Sequence, residues 1–360
     1  MARTRIDRGS DRIEIRRIFS RGVVVNRPAR SGPSNVSRSR RTSIVAALAL
    51  LLGVPVVGRV RAEAAGGAPG TVPPTLLATR SGERREVGTT TGITEARADT
   101  IAPRPPLWAL TWSDEFDGPA GGAVSALHWN AEIGDGCDAG NCGWGNEEKQ
   151  RYTSGTENAA LTGSGMLAIT ARRDPDGPRC YYGPCRYTSA KLTTRGKVTP
   201  RFGRVEARIR IPTGQGLWPA FWMLGAGFPA TKWPDCGELD IMEHHGSKPG
   251  NVSSAMHGPG YSGNAALVHE HTPPGADFTR DFHRYAVEWD SAQVRFSVDD
   301  VVHFIVRRGE VAAPKVWAFD HPFYIILNLA VGGTFDGDPA SDAVLPATML
   351  VDYVRVYERQ

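Results

Sequence analysis

The chain has 360 residues and a formal net charge of +4, a length that allows one to three domains. A basic balance suggests an anionic partner, but its distribution excludes one. Residues 1–42 hold 12 Arg against 3 acids, residues 43–64 add a net +1, and residues 65–360 carry 28 bases against 34 acids, a net −6. The bulk of the chain is an acidic body and not a nucleic-acid binder, and 41% hydrophobic residues exclude a wholly disordered one.

In chain order, residues 43–57 read SIVAALALLLGVPVV, about 14 apolar residues, short for a membrane span. Arg38, Arg40 and Arg41 precede this run and Ala62-Glu63-Ala64 follows it. That is the order of charged region, apolar core and small-residue cleavage site in a secretory signal. Ser39-Arg40-Arg41 also resembles a twin-arginine signal. An uncleaved membrane anchor is the alternative. Residues 1–64 are therefore expected to be an N-terminal extension with an export signal, by the Sec or twin-arginine route, with no stable membrane association after processing. Residues 65–106 are rich in Ala, Gly, Pro, Thr and Arg without an apolar period, and read as a linker or disordered segment.

Residues 107–360 form one body that starts near Leu107, and strand signals recur along it. A Gly-Ser-Gly turn at 163–165 leads into Leu167 and Ile169. Val205, Ala207, Ile209 and Ile211 alternate with Arg204, Glu206, Arg208 and Arg210, the period of a half-buried strand. The runs 285–289, 294–298 and 301–306, the last two joined through Asp299-Asp300, predict a meander. Residues 323–331 and 349–357 are further strands, and no long helical period appears. The predicted class is an all-β sandwich.

Cys137 and Cys142 are five apart in a Gly/Asp/Asn loop, and Cys180 and Cys185 five apart around Gly183-Pro184. In an exported protein each pair reads as a loop staple. The alternative, two metal-binding pairs, lacks a neighbouring His. Cys236 is left over, either a buried structural thiol or a nucleophile.

The most informative stretch is Gly237-Glu238-Leu239-Asp240-Ile241-Met242-Glu243. In a strand Glu238 and Asp240 share a face and Glu243 points away. A β-bulge at Ile241 or Met242 would return Glu243 to that face, with Leu239 and the remaining apolar residue toward the core. The alternative is a solvated acidic strand, but three like charges on one face repel, and no basic residue in the stretch neutralises them. That cost points to a site. Glycoside hydrolysis needs two such carboxylates, about 5–5.5 Å apart for retention and about 6.5–9.5 Å for inversion. The two Glu Cα atoms would lie about 13 Å apart along a bulged strand, from which the side chains can lean together.

Trp218-Pro219-Ala220-Phe221-Trp222-Met223-Leu224 followed by Gly237 to Glu243 resembles glycoside hydrolase family 16, and more narrowly its bacterial endo-1,3-β-glucanases, or laminarinases. The stretches 112–117, 143–146, 187–190, 257–263, 327–333 and 351–357 extend the likeness over the body. The E-x-D-x-x-E form is the bulged variant. Lichenases and xyloglucan-acting relatives usually have the shorter E-x-D-x-E.

The resemblance implies a concanavalin/lectin-like β-jelly-roll of two antiparallel sheets with a concave cleft, and a retaining mechanism. Glu238 would be the nucleophile, Glu243 the acid/base and Asp240 the helper. Trp218 and Trp222 would line donor subsites, where indole faces stack on sugar C–H groups, although core packing is their alternative role. Asn146 and Arg195 would bond sugar hydroxyls, with His257 and Gln150 as further candidates. No cofactor is implied for catalysis. A structural calcium on the convex side would take Glu115, the Gly155 carbonyl and Asp352, since oxygen ligands suit it. The expected partner is a neutral β-glucan outside the cell, and the expected state a monomer. Mixed-linkage glucan, a galactan, transglycosylation and a non-catalytic glucan-binding role are the competing readings. Glu147 and Lys149 depart from the family's G-N-N-E-L-Q, and His244-His245 after Glu243 is uncommon.

Overall fold

The computed structural model describes residues 107–360, so the expected signal and linker lie outside the described residues. Those residues fold almost wholly as strands, with five short 3-10 turns and no α-helix. None of their helical segments is long and apolar enough to cross a membrane. Two large sheets face each other, one of ten strands and one of seven. Pairing is antiparallel throughout them, except where Gln150–Tyr152 runs parallel to Tyr187–Ser189.

The seven-stranded sheet carries the site. From one edge its strands are Leu267–His271, Val252–His257, Glu238–Glu243, Leu217–Gly225, Phe323–Val331, Lys191–Thr193 and Asn130–Glu132. At the centre of the ten-stranded sheet, Gly203–Arg210 pairs with His283–Trp289 on one side and Ala347–Arg359 on the other. The expected meander forms, and Asp299 and Asp300 turn it with positive φ at both positions.

Strand alternation assigns the faces. Val205, Ala207 and Ile209 are fully buried against Phe221, Met223, Leu239, Ile325, Leu327 and Leu329 of the other sheet. Burying one such side chain is worth about 1.5–3 kcal/mol, so this interlayer holds the sheets in register. Their alternating neighbours point to the two outer faces. Both disulfides form, Cys137–Cys142 and Cys180–Cys185. The loops they close are docked together, because the Tyr181 N–H donates to Asp135 Oδ2 at 2.8 Å.

Candidate active site

Gly237 opens the carboxylate strand with φ 71°, and a Cβ there would lie 2.4 Å from the Ala318 carbonyl oxygen. Glycine is the residue that tolerates both the left-handed turn and the close approach. The strand then pairs Glu238 with Leu224, Leu239 with Met223 and Asp240 with Trp222. The register shifts before Met242 meets Phe221 and Glu243 meets Ala220. Ile241 is the extra residue, and on the other side the register also shifts between Asp240 and Glu243. The Ser254 hydroxyl donates to the Ile241 carbonyl at 2.8 Å, which satisfies a group that the bulge withdraws from the ladder. Leu239, Ile241 and Met242 are all buried in the core, so both residues of the bulge pack inward, one more than the alternation required. Glu238, Asp240 and Glu243 share the outer face.

Burial and mutual repulsion dominate the electrostatics. Desolvation pushes Glu238 up to about 8, with the charges of Asp240 and Glu243 adding to it, and His257 and Lys191 acting against it. Glu243 is likewise pushed up to about 8 by burial and by Asp240, opposed by His257 and the Trp218 indole. Burial raises Asp240 well above the carboxylate range. His257 Nε2 lies 3.2 Å from Asp240 Oδ2 and 3.7 Å from Glu238 Oε1. The nearer contact has ion-pair distance but not hydrogen-bond alignment, since Asp240 Oδ2 has no bonded partner. The Gly263 N–H donates to His257 Nδ1 at 3.1 Å, which leaves the ring proton on Nε2, facing the acids.

The tryptophan strand fixes the neighbours. Trp222 sits opposite Asp240, and Trp218 lies four residues before it, so both indoles are on the carboxylate face and not in the core. Trp218 Nε1 donates to Glu243 Oε1 at 3.2 Å. Its ring stacks on Phe335, centroids 4.3 Å apart, and Phe335 stacks in turn on His245 at 3.8 Å. Trp222 Nε1 donates to Asn328 Oδ1 at 2.7 Å. Lys191 Nζ lies 5.1 Å over the Trp222 ring and 4.3 Å over that of Trp144.

The other predicted residues divide. Asn146 is half-buried and donates to Glu148 Oε1 at 3.2 Å. Arg195 is exposed and bonds the Tyr324 hydroxyl. Gln150 is fully buried with both ends of its amide occupied, by Glu148 and by the Val331 N–H, so as placed it supports the site from beneath and offers nothing to a sugar. His244 is buried, its Nδ1 on the Asn251 carbonyl at 2.7 Å, and desolvation pushes it down to about 4. It packs and does not titrate near neutrality. Burial, with the charge of Glu238, pushes the Cys236 thiol up to about 11, which makes it inert and not a nucleophile. Lys191, Phe335 and Glu148 were not singled out from the sequence. Lys191 and Phe335 meet the site from segments distant in the chain, Lys191 by strand order, while Glu148 lies between Asn146 and Gln150.

The three expected calcium ligands do not fit an ion as placed. Both Glu115 oxygens accept from Arg355, at 2.9 and 2.8 Å. Asp352 Oδ2 accepts from Arg208 at 2.7 Å. The Gly155 carbonyl accepts the N–H groups of Asn158 and Ala159. Calcium takes about six to eight oxygens, and here each carboxylate is already neutralised by a guanidinium. Among the described residues one group of three has metal-ligating atoms within 4.8 Å of one another: Glu238, Asp240 and His257. It lies on the carboxylate face itself.

Comparison with known proteins places this arrangement. The profile of glycosyl hydrolases family 16 matches residues 146–355. A beta-glucanase of Rhodothermus marinus is 39% identical over 259 residues, covering 70% of this chain and 86% of that protein. The glucan endo-1,3-beta-glucosidase A1 of Niallia circulans is 40% identical over 265 residues, 70% of this chain but 38% of that longer protein. Among solved structures, the laminarinase catalytic domain of Thermotoga maritima MSB8 is 42% identical, with a TM-score of 0.66, over 70% of this chain and 99% of that one.

Proposed function

The chain belongs to glycosyl hydrolase family 16, and we propose that it is an exported, endo-acting β-glucanase that cuts 1,3-linkages with retention of configuration. The observation that carries the chemistry is the bulge at Ile241, which returns Glu243 to the face of Glu238 and Asp240. The 1,3-preference and the endo mode follow the names of the relatives. Export rests on the signal-like segment and on two disulfides, which persist in oxidising compartments.

Three crowded acids do not all ionise at neutral pH, and they titrate as a set. Glu238 has the Lys191 charge acting on it and the His257 Nε2–H at 3.7 Å. Glu243 has His257 and a neutral indole donor. The charge therefore settles toward Glu238 and a proton stays on Glu243. Glu238 attacks the anomeric carbon while Glu243 protonates the departing glycosidic oxygen. The Glu238–carbon bond forms, the glycosidic bond breaks, and the aglycone leaves as an alcohol. Glu243 then takes a proton from water, whose oxygen attacks the same carbon and releases Glu238 as a carboxylate. When Asp240 is ionised, its charge raises Glu243 further and keeps it a usable acid. Activity falls as pH rises through about 8, where Glu243 loses its proton. The body, with 23 bases and 30 acids over residues 107–360, suits a neutral polymer monomerically bound by stacking and hydrogen bonds.

A reducing-sugar assay on laminarin, barley mixed-linkage glucan and agarose side by side tests the assignment, with laminarin expected to be cut fastest. Cleavage of agarose alone would overturn it. Proton NMR of the earliest products should show β-anomers, and α-anomers first would overturn retention.

A further inference from the structure

We propose that Glu148 is a positioning residue. Through a buried hydrogen-bond chain, its ionised carboxylate sets the orientation of the Trp222 indole and the Asn146 amide in the cleft. The inference rests on the glycan-binding reading of those two residues and extends it to a group that no sugar touches.

Glu148 is 5% exposed, and three side-chain donors converge on it. Gln150 Nε2 donates to Oε2 at 2.5 Å, the Tyr152 hydroxyl to Oε2 at 3.3 Å, and Asn146 Nδ2 to Oε1 at 3.2 Å. Two ends of this network are groups that can only donate, and they force every direction in between. At the first end, the Val331 backbone N–H donates to Gln150 Oε1 at 2.7 Å. The Gln150 amide must therefore turn its NH2 toward Glu148. At the second end, the Trp222 indole N–H donates to Asn328 Oδ1 at 2.7 Å. The Asn328 amide must then present its NH2 to the Tyr152 hydroxyl, at 3.2 Å. That hydroxyl, already accepting, spends its proton on Glu148. Both paths end on the same carboxylate, and only an acceptor-only group closes them.

Burial raises Glu148 above the ordinary carboxylate value, but a protonated acid would place a donor against these donors, so the donor geometry requires the carboxylate. The charge of Lys191 and the three donors oppose that rise. An amide of the same shape cannot substitute. Glutamine at 148 has one acceptor oxygen, so its NH2 must face at least one of Asn146, Gln150 and Tyr152. The buried donor left without an acceptor is costly, and the strain passes along the chain to Asn328 and Trp222.

The test uses two variants, Glu148→Gln and Tyr152→Phe, and their double, in the full chain. On laminarin, Glu148→Gln should raise KM by about tenfold, the worth of one well-made buried hydrogen bond, while kcat changes by no more than about twofold. Tyr152→Phe cuts the link from Asn328 but leaves Asn146 bonded. It should raise KM by less, and the double variant should be no worse than Glu148→Gln alone, the non-additivity expected of one network. The indole N–H resonance of Trp222, assigned by its loss in Trp222→Phe, should move upfield in both single variants without any substrate present. That reading is independent of activity, so a protein that cleaves no glucan sinks the proposed function and leaves this test standing. If Glu148→Gln does not fold, Tyr152→Phe carries the same indole measurement. Unmoved indole resonance, or additive effects on KM, would overturn the proposal.

Discussion

Two rows of acids lie at the centres of the two sheets, and they are treated in opposite ways. On the outer face of the ten-stranded sheet, Arg204 is one-tenth exposed and meets Glu206, Glu288 and Asp300 at 2.5, 2.7 and 3.0 Å. The Tyr353 hydroxyl donates to the second Glu206 oxygen at 2.7 Å. Arg284 and Arg295 brace the same acids from outside. On the outer face of the seven-stranded sheet, Glu238, Asp240 and Glu243 have no arginine, only His257, a distant Lys191 and one indole N–H. Glu206 of the first row is a buried strand residue, and so is Asp240 of the second. The paired row is architecture, since its acids are matched by guanidinium groups and its hydrogen bonds are satisfied. The unpaired row keeps protons at neutral pH, and that is a property chemistry can use.

The largest expected effect breaks the unpaired row at its reacting member. Glu238→Gln should lower kcat on laminarin by at least about a thousandfold, as loss of a nucleophile does. The fold and the binding of an oligosaccharide, followed by calorimetry, should be unchanged. Residual turnover above a few per cent would remove Glu238 from the role. Next comes the paired row. Arg204→Met leaves the buried Glu206 without its cation and should cost about 3–5 kcal/mol in guanidinium unfolding. Its kcat, measured below the unfolding transition, should match the native protein. A kcat loss would mean that the two faces are coupled, and the contrast drawn between them would fail.

Much of this contrast was legible in the residues themselves. Alternation at 204–211 identified a strand with one charged face. Acids at 238, 240 and 243 demanded an extra residue, because a charge cannot be sent into a core, and Ile241 supplies it. The paired cysteines were legible because five-residue spacing leaves each one partner in reach. What strand periodicity cannot reveal is which strands become neighbours. The indoles could be placed on the carboxylate face only once Trp222 was seen opposite Asp240. Lys191 enters the cleft because its strand lies beside Phe323–Val331, a contact between segments over a hundred residues apart. Gln150 reads as a sugar-binding candidate until Val331 and Glu148 are found at its two ends. Glu115 and Asp352 read as oxygen ligands until their arginines are seen, and nothing in their own strands announces Arg355 or Arg208.

The smallest effect is also the sharpest, because its sign must reverse between the faces. Burial raises Asp240 well above its ordinary value, so the folded protein holds that proton more tightly than the unfolded chain does. A carboxylate with a raised folded pKa contributes its full stability below the unfolded value, near pH 4. It loses that stability as pH rises toward the folded value. Asparagine removes the titration. Asp240→Asn should therefore match the native protein near pH 4 and exceed it at pH 8 by about 1–2 kcal/mol, while kcat falls, a trade of stability against activity. Glu206→Gln, the same kind of neutralisation in the paired row, should instead destabilise at pH 8, since it strips Arg204 of its shortest partner. Unfolding curves of the two variants at both pH values check this directly. If both shift the same way, charge pairing is not what separates the two rows, and burial alone would have to account for the site.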